Sequence, residues 1–278
     1  MRRTRSKSSS KYDSAAADHF WSKRLHSTDP LSAVLSYGAP KVLNQLYDRW
    51  ERQALAKSLP RSLHNRRALD IGAGIGRISL ILAKLGAETT SVDISSAMLK
   101  RLSQRARTAG QSKCVHTIQS SSHEIPLPDR AFDIVTCLGL LEHLPEPVRR
   151  ATVAEAARLV KRSGKIYMVV NNVENPFLSR NYPLKRQRSD GYFVSLVGLP
   201  WLRKTAHEYS LSLRILAANP WYSLVHYHLY PYLKDLKISP AEFNRICRFA
   251  LKLDDDTCLP TATERLFASH FLVELRKR

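Results

Sequence analysis

The run Ala68-Leu-Asp-Ile-Gly-Ala-Gly-Ile-Gly76 constrains this chain more than any other stretch. An apolar segment ends in an acid, glycines alternate at 72, 74 and 76, and Arg77 to Gly86 continues as an apolar helix. This pattern predicts a strand, a tight turn and a helix start. Glycine suits the turn because the backbone must adopt positive φ and admit a ligand without a Cβ in the way. A second predicted strand, Glu88 to Asp93, ends in an acid 21 residues after Gly72. Nucleotide-binding βαβ units place the acid that meets a ribose hydroxyl at about 20 residues. Together the two features predict a site for a nucleoside-containing cofactor. The dinucleotide fingerprint needs a third glycine three residues after the second, and position 77 is Arg.

The rest of the chain alternates. Further strands are expected at Cys114 to Gln119, Phe132 to Leu138 and Lys165 to Val170, with helices starting at Ser95 and spanning Glu146 to Arg162. Such alternation implies a parallel, doubly wound sheet with its ligand at the carboxyl ends of the strands. Leu211 to Ala217 reads as a sixth strand and His270 to Leu275 as a seventh. About 50 residues separate them, more than a hairpin needs. That insert is rich in aromatics and histidine (Trp221, Tyr222, His226, Tyr227, His228, Tyr230, Tyr232), and Phe243 to Leu253 within it looks helical. Upstream, Val42, Leu43, Leu46, Tyr47 and Trp50 recur at helical spacing. No internal repeat is found.

Leu69-Asp-Ile-Gly-Ala-Gly-Ile-Gly76, Val92-Asp-Ile-Ser95, Phe132-Asp-Ile-Val-Thr-Cys137 and Leu141-Glu-His-Leu144 resemble the class I S-adenosylmethionine-dependent methyltransferases. The resemblance is continuous from about Ala68 to Asn172. Val135 to His143 is most similar to the ubiquinone-type O-methyltransferases. The resemblance implies an α/β, Rossmann-like sheet of seven strands, mostly parallel with the last antiparallel. A helical N-terminal segment and the insert between strands six and seven would accompany it. The expected organisation is a basic tail over 1–16 and one methyltransferase domain over 17–278. The core would lie at 60–175, with acceptor-side elements at 17–59 and 173–262.

The resemblance also implies the site. Gly72, Ala73, Gly74 and Gly76 would approach the methionine part of S-adenosylmethionine, whose product is S-adenosylhomocysteine. Asp70 would meet its amino group, or simply stabilise the turn. Asp93 would accept from the ribose hydroxyls. Ile94 and Met98 would sandwich the adenine or pack in the core, and Leu138 would complete the wall. Where the family usually has Asp-Ala after the third strand, this chain has Ser121 and Ser122; Ser121 can accept a hydrogen bond but brings no charge, and His123 or Glu124 could substitute. The ubiquinone-type enzymes carry Glu-x-x-Glu-His at the end of the fourth strand, able to hold a divalent metal. Position 139 is Gly here, so no metal site is expected. His143 is the candidate general base, because its ordinary pKa lies near neutrality; a helix-capping role is the alternative. His226 and His228 are weaker candidates. Trp21 and Tyr37 could line the site or pack against the sheet.

Composition bounds the partners. Forty-four Lys and Arg against 24 Asp and Glu give a net charge of +20. Five cations and no acid fall in the first eleven residues, which read as a disordered tail. The tail is Arg- and Ser-rich like a transit peptide but lacks an apolar face. Such a field favours polyanions or an anionic membrane surface, or serves only as a solvated coat. Cysteines 114, 137, 247 and 258 are scattered, without Cys-x-x-Cys. That suits a reducing cytoplasm. The expected partner is a small-molecule acceptor, apolar or planar, with an anionic group or a lipid link and reaction at oxygen. Peripheral membrane contact goes with a lipid-linked acceptor. Two other readings stay open: an RNA or protein methyltransferase, and a non-catalytic cofactor-binding protein of the same fold.

Overall fold

The computed structural model describes residues 12–27, 29–35, 40–175, 178, 185–187, 193–233, 238–256 and 261–278. Seven strands form one sheet: β1 (Arg67–Ile71), β2 (Glu88–Asp93), β3 (Val115–Gln119), β4 (Phe132–Cys137), β5 (Val160–Asn171), β8 (Leu211–Ala218) and β9 (His270–Lys277). Their order is β3-β2-β1-β4-β5-β9-β8. The pairs β3/β2, β2/β1, β1/β4 and β4/β5 are parallel, whereas β9 runs antiparallel to both β5 and β8. The strand order reverses between β1 and β4. In an open α/β sheet, the crevice for a ligand opens at that point, outside the carboxyl ends of the strands.

Burial follows from the residue types. Leu69, Ile71, Val92, Val135 and Ile166 face a core closed by helix α6 (Glu146–Leu159) and helix α7 (Leu199–Glu208), through Val153, Ala156, Leu159, Leu202 and Ala206. On the other face, Ala68, Ile134, Tyr167 and Leu272 meet helix α3 (Lys41–Ser58) through Leu43, Trp50 and Leu55. The helical face expected at Val42 to Trp50 is thus an ordinary core face. Trp50 also donates its indole N–H to the Ala218 carbonyl at 3.1 Å. Helices α4 (Ser79–Lys84) and α5 (Ser96–Thr108) follow β1 and β2, and Ser95 caps α5 by accepting from the Met98 N–H at 3.3 Å.

Three features depart from the sequence reading. Helix α1 (Ser14–Ser27) begins inside the expected tail, with Asp13 Oδ1 accepting from the N–H groups of Ala15 and Ala16 at 3.0 Å. The tail boundary at 16 is therefore too late, because an Asp N-cap can start a helix in a stretch without aliphatic periodicity. A short antiparallel pair, β6 (Lys185–Gln187) with β7 (Phe193–Ser195), lies between the expected fifth and sixth strands, where no strand was predicted. The aromatic insert contains a π-helical turn, Leu224–Leu229. Tyr37, Cys258 and the first eleven residues lie outside the described residues. No described helix is long and apolar enough to cross a membrane.

Candidate active site

A cavity of about 750 Å³ opens at the carboxyl ends of β1, β2 and β4, where the topology predicts it. Its wall includes Asp70, Gly72, Ala73, Gly74, Asp93, Ile94, Met98, Ser122, Leu138 and His143. Ten of the twelve expected site residues thus share one cavity.

The glycine loop explains the first part of that wall. Gly72 and Gly74 adopt φ of +74° and +51°. A Cβ on Gly72 would fall 2.9 Å from Leu140 Cδ2, so the loop closes only without a side chain there. Gly76 has another task. It is absent from the cavity wall, and a Cβ on it would stand 2.6 Å from Leu102 Cγ of α5. The alternating glycines read as one ligand surface from sequence, yet Gly76 faces α5 while Ile75, Arg77 and Ile78 around it reach the cavity, and the third glycine serves helix packing.

Asp93 holds the loop from the next strand. Its Oδ2 accepts from the Gly74 N–H at 2.8 Å and its Oδ1 from the Ser95 N–H at 2.9 Å. Each carboxylate oxygen keeps a further lone pair for hydroxyl donors. Burial, only partly offset by these two hydrogen bonds, pushes its pKa up to about 6. Asp70 is more committed. It accepts from Ser79 Oγ at 2.6 Å and from Thr136 Oγ1 at 2.8 Å, which ties β1 to α4 and β4. Burial raises its pKa as well.

Ser121 is absent from the cavity wall and Ser120 stands there instead. The Ser121 carbonyl accepts from Ser120 Oγ at 3.2 Å and the Glu124 N–H at 3.3 Å, closing a local turn. Ser122 does reach the wall, with its hydroxyl 2.8 Å from Thr152 Oγ1.

His143 ends a single 3₁₀ turn, Leu141–His143. Its Nδ1 lies 3.1 Å from the Phe193 carbonyl of β7. A carbonyl only accepts, so Nδ1 carries the proton and Nε2 the lone pair. Burial holds the imidazole pKa down, at about 4, so the ring is neutral at physiological pH. It forms a T-shaped pair with Trp21, with centroids 5.0 Å apart and planes at 78°. Arg149, only 5% exposed, braces the turn from behind. Its Nε donates to the Leu141 carbonyl at 2.8 Å and its Nη2 to the Leu144 carbonyl at 2.9 Å. One of the Arg149-Arg150 pair thus serves as an internal brace rather than a solvated charge.

The wall also contains residues that pattern reading missed. Tyr12, Phe20, Leu140 and Phe193 add apolar and aromatic surface, and Asp13 and Glu146 add negative charge. Arg77, beside the glycine loop, is committed to Asp48 at 2.8 Å and Glu51 at 2.7 Å. The weaker base candidates lie elsewhere: the buried His226 is 2.7 Å from the Tyr222 hydroxyl and stacks on Tyr227, and neither it nor His228 lines the cavity. Among the described residues, no group of three or more His, Cys, Asp or Glu is placed to hold a metal ion.

Comparison with known proteins agrees with this architecture. Residues 69–168 match the family described as "Methyltransferase domain". The chain is 31% identical over 165 residues to a ubiquinone biosynthesis O-methyltransferase of Coxiella burnetii, and 29% over 164 residues to that of Methylococcus capsulatus; each match covers 58% of this chain and 62% of the relative. The magnesium protoporphyrin IX methyltransferase of Synechocystis shares the fold, with a TM-score of 0.60 at 13% identity over 96% of this chain and all of that one. A possible histamine N-methyltransferase of Thermotoga maritima gives the same TM-score at 15% identity, over 94% and 99%. Residues 69–168 thus match a methyltransferase domain, and the sheet has the fold of these S-adenosylmethionine-dependent methyltransferases. Within that class it is similar to the ubiquinone-type enzymes, and it spans less than two thirds of their length.

Proposed function

We propose that this chain transfers the methyl group of S-adenosylmethionine to an oxygen of a small, uncharged, largely apolar acceptor. The observation that carries the reading is one cavity holding the glycine loop, the Asp93 carboxylate and a neutral His143 together. The residues present fit the cofactor. The wall offers a turn without side chains at Gly72 and Gly74, and a carboxylate already oriented by two backbone donors with acceptor capacity left for a diol. The volume is that of a small-molecule site.

S-Adenosylmethionine, when bound, supplies a methyl group activated by the sulfonium charge. The protein's own part is to align the acceptor, exclude water and remove a proton. Phe20, Trp21, Leu140 and Phe193 line the cavity near His143 and give an apolar seat for a ring. The Phe193 carbonyl fixes the tautomer, so that Nε2 accepts the hydroxyl proton. The cations at the wall are spoken for by Asp48, Glu51 and backbone carbonyls, while Asp13 and Glu146 add negative charge. Among the described residues, this balance speaks against the anionic acceptor that composition alone favoured.

The test is transfer of label from radiolabelled S-adenosylmethionine into a cell extract, fractionated afterwards into lipid, small-molecule, RNA and protein pools. Label in the lipid or small-molecule pool, lost in Asp93→Ala, is the expected result. Label in RNA or protein would replace this reading with a macromolecular acceptor.

A further inference from the structure

Helix α1 lines the cavity through Ala16, Ala17, Phe20 and Trp21, and midway along it Trp21 meets His143. Just ahead of the helix, Tyr12 shares the wall with Asp93, Ile94, Ser120 and Ser122, the residues that would surround a nucleoside. Beside Trp21, the helix is tied to the start of α5. Ser22 Oγ lies 2.9 Å from Ser95 Oγ, the cap of α5. The Tyr12 ring packs against the main core and meets the edge of His123, with centroids 6.0 Å apart and planes at 80°.

Several polar groups around this end are engaged, although the buried His123 Nδ1 has no hydrogen-bond partner among the described residues. Ser120 Oγ donates to the Glu124 carbonyl at 2.8 Å, Ser122 Oγ bonds Thr152, and Asp13 Oδ1 caps α1. Ser121 does not face the cavity. The Tyr12 hydroxyl, in contrast, has no hydrogen-bond partner among the described residues. Burial and the nearby Asp93 charge push the phenol up to about 12, so it stays protonated and can both donate and accept.

We propose that Tyr12 is a nucleoside-reading residue: its ring closes the nucleobase end of the cavity, and its hydroxyl supplies the polar contact that position 121 does not. The proposal rests on the cavity being the S-adenosylmethionine site. It assigns recognition to the residue just ahead of the N-terminal helix rather than to the loop after β3. A short polar loop can therefore stand where an acid is usual, because the missing contact comes from a different element.

The test is calorimetric binding of S-adenosylhomocysteine and of 5′-methylthioadenosine, which keeps the nucleoside but lacks the amino-acid part. Wild type, Tyr12→Phe and Tyr12→Ala are compared. Tyr12→Phe keeps the ring, and so the docking of α1, and removes only the hydroxyl. It is expected to weaken both ligands by about three- to tenfold, the effect of one hydrogen bond. Tyr12→Ala is expected to weaken both by several-fold more, with the melting temperature of the unliganded protein showing whether α1 still docks. Unchanged affinity in Tyr12→Phe overturns the inference, as does a loss seen for S-adenosylhomocysteine but not for methylthioadenosine. If wild type binds neither ligand, the cofactor site itself is wrongly placed and the inference falls with it. The two failures are thereby told apart.

Discussion

Asp93 serves two requirements that pull on its protonation in opposite directions. Its seat between β2 and the glycine loop is dry enough to raise the pKa to about 6, yet a diol is best held by the ionised form. Below that pH the carboxylate takes up a proton and loses acceptor capacity. Cofactor affinity is therefore expected to fall as pH drops through about 6, seen as a rising Kd for S-adenosylhomocysteine and a rising KM. His143 responds differently. With its pKa held down at about 4, it remains neutral through the same interval, so kcat is expected to stay flat where KM rises. Replacement by His143→Ala is expected to lower kcat by roughly a hundredfold or more, the usual contribution of a positioned base, with S-adenosylhomocysteine affinity within a few fold of wild type. Equal kcat in the variant would remove His143 from the chemistry. The place of Asp93 on the wall was legible because an acid at a fixed distance from a glycine turn is a local pattern, and that of His143 through its resemblance to the ubiquinone-type motif. The roles of Gly76 and Ser121 were not, because which way a turn residue faces depends on the helix packed behind it. In this chain Leu102 occupies the space beyond Gly76.

At the scale of elements, the 3₁₀ turn of His143 is held by two others. Strand β7 supplies the Phe193 carbonyl, and Arg149 of α6 ties the carbonyls of Leu141 and Leu144. Arg149→Met keeps much of the apolar stem but frees both carbonyls. It is expected to lower kcat more than it raises KM, and a stability loss without a kcat effect would confine Arg149 to folding. The junction of the glycine loop with α5 makes a stability prediction. Gly76→Ala forces an L-residue into φ of +78° and a methyl into Leu102. The expected cost is roughly 2–4 kcal/mol, read from denaturant unfolding. The βα alternation was readable because each unit buries a period-specific apolar face. The β6/β7 pair was not readable, since three-residue strands carry too little pattern, and yet it fixes the tautomer of the candidate base.

On the scale of the whole molecule, one cluster of cations sits at the end of the sheet opposite the cavity, whose wall carries Arg77 and Arg149, both already bonded. Arg66, Arg67, Lys161, Arg162, Lys165, Arg214, Arg276 and Lys277 gather where β1 and β5 begin and β9 ends. Two acids there are shared: Asp133 by Arg66 and Lys161, and Glu274, only 3% exposed, by Lys165, Arg214 and Arg276. The cavity end instead carries Asp13, Asp70, Asp93 and Glu146 on its wall. A net charge of +20 therefore says little about the acceptor, and composition misled because it sums over a molecule whose charges are sorted by position. The fold delivers residues 60 or more positions apart, such as Trp21 and His143, to one site, and no local pattern announces that. The central claim is that this site is built around Asp93. Its most direct test is equilibrium binding of S-adenosylhomocysteine to wild type and Asp93→Ala at pH 7.5. Saturable binding by wild type and a loss of at least about fiftyfold in the variant is the predicted result. Affinity in Asp93→Ala within a few fold of wild type would contradict the account.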